Sequence, residues 1–161
     1  MNDTEPHQRA RAAAIRFLSN RPRSEAEVRS RLRRTYPSQI VDHVLKDLRE
    51  RDLVDDTRFA RMWTDSRNSH KPRSAWAVKR ELIARGVDEA LAADAVQDID
   101  DEETAYRAAL SPARRLQGVD FHTFHRRLWA YLRRRGFSDS VCRRTLDRLW
   151  NDTEIHTQPH H

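Results

Sequence analysis

Glycine occurs only three times in 161 residues. A chain so poor in the residue that adopts left-handed backbone freely has few places for tight turns, and strands joined by such turns are scarce by composition. Cysteine occurs once, at position 142. That excludes an internal disulfide and suits a reducing compartment. No run of 18 apolar residues is present, so no segment reads as a membrane span. The opening MNDTEPHQRARAAAIRF carries acids and has no apolar core of signal-peptide length, so a cytoplasmic location is expected. Lysine is confined to positions 46, 71 and 79, and nearly all positive charge is arginine, a bias that a GC-rich genome produces without functional cause. A Gly-rich phosphate loop, a G-x-S-x-G elbow and an H-E-x-x-H pair are all missing, which leaves an enzymatic reading without a residue constellation.

What is present is charge and repetition. Charged residues make up 35% of the chain and the net charge is +6. Such a balance favours helices with wet outer faces and a polyanionic partner, either nucleic acid or an anionic membrane face. Val78, Leu82, Gly86, Val87, Leu91, Ala95, Val96 and Ile99 fall on Leu128, Leu132, Gly136, Phe137, Val141, Thr145, Leu146 and Leu149 at an offset of 50. Val28 and Leu32 precede Val78 and Leu82 by the same 50; Ile40, Val44, Leu45 and Leu48 precede Leu91, Ala95, Val96 and Ile99 by 51. Each spacing is helical, so three copies of one helical hairpin are expected. Ser24 to Glu27 has the form of a capping box. Gly86 and Gly136 stand where a helix ends in a left-handed residue, and Ser38, Asp88 and Ser138 are placed to cap the next helix. A further helix precedes each hairpin, at about 8–20, 57–69 and 102–110, with Ser111-Pro112 read as a break and restart.

The fold class expected is therefore all-α: three tandem three-helix repeats, at 8–54, 55–99 and 100–151, stacked into an elongated, curved array, with 1–7 and 152–161 as flexible tails. Asp55-Asp56 falls at the joint between the first two repeats, and Asp98, Asp100, Asp101, Glu102 and Glu103 at the next. Consecutive Asp at a helix start diverge, so capping is the reading rather than a cation site, which needs converging oxygens. His122 and His125 lack a third ligand by spacing, so no metal is expected. Cys142 reads as a buried, inert thiol. Among the aromatics, core packing is the default and base stacking the lesser reading; Trp76 and Trp129 fall off the main stripe, where they suit a contact between repeats.

Charge is unevenly placed. Residues 86–106 hold eight acids and no Lys or Arg, whereas 107–149 hold eleven Arg against three Asp. On the helix around 120–135, Phe121, Phe124, Leu128, Tyr131 and Leu132 share one side, and Arg126, Arg127, Arg133 and Arg134 the other. On the next helix Arg143, Arg144 and Arg148 oppose Val141, Thr145, Leu146 and Leu149. Few acids lie nearby, so these arginines are expected to remain partly unpaired and to favour a polyanion, with a merely solvated face as the plain alternative.

The stretches NRPRSEAEVRSRL at 20–32, LRERDLVDDTRFARMWTDSR at 48–67, KPRSAWAVKRELIARGV at 71–87 and RRRGF at 133–137 together resemble the RecX regulatory proteins. The first repeat departs from that pattern at Tyr36-Pro37, the third at Ser111-Pro112. The resemblance implies a non-catalytic, cofactor-free protein that binds the groove of the RecA recombinase filament on single-stranded DNA. It also implies that the protein curbs RecA ATPase, strand exchange and co-protease activity in DNA repair and the SOS response. The contacts expected are Arg126, Arg127, Arg133, Arg134, Arg143, Arg144 and Arg148, then Arg67, Lys71, Arg73 and Arg80. The implied partners are the RecA filament and, weakly and without sequence preference, single-stranded DNA; no membrane contact is expected, and the chain is read as a monomer. The rival from the residues alone is a helix-turn-helix protein reading a preferred duplex site, and a protein-only repeat scaffold is a second.

Overall fold

The structure is a computed structural model that describes residues 4–156. Among these it is all-helical: α1 (Thr4–Asn20), α2 (Glu25–Arg33), α3 (Ser38–Glu50), α4 (Asp56–His70), α5 (Ala75–Ala84), α6 (Glu89–Val96), α7 (Asp101–Arg115), α8 (Phe121–Arg134) and α9 (Asp139–His156). Helix enters both segments read as tails, at 4–7 and 152–156; positions 1–3 and 157–161 of those tails lie outside the described residues.

Helix boundaries follow local chemistry. Ser24 forms the capping box of α2, its hydroxyl accepting from the Glu27 N–H and the Glu27 carboxylate accepting from the Ser24 N–H. Asp88 accepts from Ala90 N–H and Ser138 from Val141 N–H, as expected of caps. Ser38 does not cap: Pro37 holds the cap position with extended backbone and the helix begins at Ser38 itself. Proline fixes φ near the value that position needs, so the chain turns into helix one residue early. Gly86 and Gly136 have φ of +84° and +88°, the left-handed ends foreseen from the spacing. The α3 end is closed by a non-glycine residue, Asp52, at φ +56°, with Leu53 N–H donating to Leu48 C=O at 2.9 Å.

Ser111-Pro112 does not break its helix. Helix α7 runs through it from Asp101 to Arg115. Proline lacks the N–H that would bond Ala108 C=O, and in an apolar surrounding an orphaned carbonyl is costly. Tyr131 supplies the missing donor: its hydroxyl bonds Ala108 C=O at 3.1 Å.

The chain divides into two compact units, one of residues 1–63 with 81–95, the other of 64–80 with 96–161. In the first, α1, α2 and α3 pack together around Ala10, Ala14, Val28, Leu32, Val41, Val44, Leu45 and Leu48. In the second, α7, α8 and α9 enclose Ala105, Ala109, Phe124, Leu128, Leu132, Phe137, Cys142 and Leu146. Burying these side chains is the main favourable contribution to each unit. Cys142 is fully buried, and desolvation pushes its thiol pKa up, the state of an unreactive sulfur.

Candidate nucleic-acid interface

Helices α8 and α9 carry seven exposed arginines. Asp120 caps α8, its carboxylate accepting from Thr123 N–H at 3.0 Å and Thr123 Oγ1 at 2.7 Å. Those bonds, the side-chain one first, hold its pKa below the usual carboxylate range. Phe124, Leu128 and Leu132 then anchor one face of α8 in the core, and helical geometry turns Arg126, Arg127, Arg133 and Arg134 to water.

The seven arginines of α8 and α9 divide by what they touch. All are exposed. Arg144 pairs with Glu102 at 2.6 Å, and Arg148 approaches Glu103 at 4.0 Å with its guanidinium 3.6 Å over the Tyr106 ring. Arg133 is tied to the turn after α8, bonding Phe137 C=O at 2.7 Å and pairing with Asp139 at 3.2 Å. The expectation that nearby acids are too few therefore needs correction for Arg144 and Arg148. The acid-rich start of α7 is brought against α9 by packing, a neighbourhood that one-dimensional charge counting does not see. Arg126, Arg127, Arg134 and Arg143 make no ion pair among the described residues.

The second expected group spans the end of α4 (Arg67), the connection (Lys71, Arg73) and α5 (Arg80). Lys71 and Arg80 are exposed, while Arg67 and Arg73 are half-buried. Arg80 lies 4.8 Å over the ring of Trp76, which is 58% exposed rather than packed in a core. Trp129 is partly buried against the α7–α9 core and stacks on His125 at 5.7 Å. No group of three or more His, Cys, Asp or Glu placed to hold a metal ion occurs among the described residues. No described helix is long and apolar enough to cross a membrane.

Seven arginines of the first unit behave differently. Arg21, Arg23 and Arg85 surround the Glu27 carboxylate at 3.3, 3.8 and 3.6 Å. Arg29 and Arg49 share Glu25, and Arg11 and Arg51 share Asp47. Their charge is committed within the fold. Capping roles of the acidic pairs are also shared out. Asp55 accepts from Arg58 N–H of its own helix, whereas Asp56 accepts from Glu25 N–H at the start of α2. The pattern recurs: Asp100 caps α7, and Asp101 accepts from Ala75 N–H at the start of α5 at 2.9 Å. Sequence reasoning identified the caps but missed that the second Asp of each pair serves another helix.

Two family profiles match the chain, "RecX, first three-helix domain" over residues 10–48 and "RecX, second three-helix domain" over residues 55–96. The regulatory protein RecX of Chlorobium limicola is 34% identical over 142 residues, covering 88% of this chain and 89% of that protein. Its namesake from Mycobacterium tuberculosis is 36% identical over 147 residues, covering 86% and 84%. Among solved structures, RecX from Lactobacillus salivarius superposes with a TM-score of 0.77 at 20% identity, covering 94% of this chain and 99% of that one, which shows a common fold.

Proposed function

The chain belongs to the RecX family, and from that premise we propose that it binds the RecA filament on single-stranded DNA and restrains its activity. A helical filament offers the same groove at every subunit, and an array of three-helix repeats is suited to a ligand that touches several subunits at once. The observation that carries the reading is the outer face of α8: Arg126, Arg127 and Arg134 are exposed and lack an acidic partner among the described residues, on a helix held firmly by its buried side. Like charge held together in this way repels itself and is relieved by phosphate or by acidic protein surface. Relatives bearing the name regulatory protein support a modulating rather than a catalytic role.

Titrating the chain into a RecA ATPase assay on single-stranded DNA tests this. Inhibition by the parent chain is expected, with a tenfold or greater loss of potency on replacing Arg126, Arg127 and Arg134 by Ala. No inhibition by the parent would overturn the function, and equal inhibition by the variant would overturn the choice of face.

A further inference from the structure

Helix α5 buries Val78 and Leu82, and Trp76, two residues before Val78, projects to the opposite side. The hydrophobic pattern of the repeat does not require an aromatic there: the matching positions are Ala26 and Arg126. Yet the ring is 58% exposed, the most open large apolar side chain among the described residues. Its indole N–H has no hydrogen-bond partner among them. The ring is nonetheless held. Its edge packs beside Gly136, with Cε3 at 3.4 Å from where a Cβ on that residue would stand, an ordinary contact distance. One helical turn further, Arg80 brings its guanidinium to 4.8 Å from the ring centroid. Exposed Lys71 adds positive charge on the connection leading into the same helix.

A positioned, water-exposed indole beside cationic side chains matches what single strands need: a π-face for the base and charge for the backbone. Duplex offers no free base face, and an acidic peptide would use the charges without the ring. We propose that Trp76, with Arg80, is a stacking site for an unpaired nucleobase of single-stranded DNA. The site rests on the filament reading only for the identity of the strand as DNA.

The test uses the full chain carrying 5-fluorotryptophan, without RecA, and oligothymidylate as the probe. Loss of one ¹⁹F resonance in Trp76→Phe assigns the signal. The expected result is an upfield shift of that resonance on adding oligothymidylate and no such shift with an abasic strand of equal length. Trp76→Ala weakens oligothymidylate binding about tenfold to a hundredfold, the range usual for loss of one base stack, and Trp76→Phe retains most of it. Circular dichroism of the variants checks that the fold persists. An unmoved Trp76 resonance, an equal shift with the abasic strand, or undiminished affinity in Trp76→Ala overturns the stacking site. Failure of the parent to bind oligothymidylate overturns it as well, while RecA inhibition measured separately decides whether the filament reading stands.

Discussion

Tyr131 shows how one hydroxyl can rescue a helix. Pro112 deprives Ala108 C=O of its partner, and the Tyr131 O–H replaces it. Replacing Tyr131 by Phe is expected to cost about 1–2 kcal/mol, the scale for a buried carbonyl left unsatisfied. That cost should largely vanish in a Pro112→Ala background, where the backbone N–H returns. Urea unfolding of the four proteins in a double-mutant cycle measures the coupling, and an equal cost in both backgrounds would refute the pairing. Asp120 gives a second residue-scale outcome. Its folded pKa is lowered, first by the Thr123 hydroxyl, so its contribution to stability is complete above the unfolded value near about 3.9. That contribution is lost as pH falls through the lowered folded value. Asp120→Ala should destabilise at neutral pH and flatten the acid limb of the stability curve below about pH 4, read from denaturation midpoints across pH.

At the scale of elements, the glycines at helix ends carry two separable costs. Gly136 and Gly118 share φ near +87°, at +88° and +86°. A Cβ on Gly136 would stand 2.6 Å from Ser74 Oγ and 2.7 Å from Ala77 Cβ, whereas one on Gly118 meets nothing within 4 Å. Gly118→Ala should therefore cost about 1 kcal/mol from backbone strain alone, and Gly136→Ala clearly more, because the start of α5 must also shift. Chemical denaturation of the two variants compares them directly. The period of the sequence predicted where both Gly86 and Gly136 end their helices, because helix termination is a local demand. It did not reveal that the Ser74 end of α5 leans on Gly136, since that contact joins residues far apart in the chain. Helix α7 was misread for the same reason: Pro112 is a local breaker, and its remedy stands 23 positions from Ala108. The arginine stripe of α8 was legible because one buried face implies the other. The pairing of Arg144 and Arg148 with the start of α7 was not, because it depends on which helices pack together.

For the molecule as a whole, charge is divided between use within the fold and use outside it. Arginines around Glu25, Glu27 and Asp47 are spent on internal pairs in the first unit. In the second, Arg126, Arg127 and Arg134 have no such commitment among the described residues, and the proposed function assigns them to an outside anion. Exposed side chains without a partner in the fold contribute little to stability, so removing these three should leave unfolding almost unchanged while altering association. The most direct test is the affinity of the chain for RecA filaments on single-stranded DNA, measured across a salt series for the parent and for the Arg126, Arg127 and Arg134 to Ala variant. The account predicts a parent affinity that falls steeply and linearly in log–log form, and a weaker, clearly shallower dependence for the variant. Parallel lines of equal affinity would contradict it.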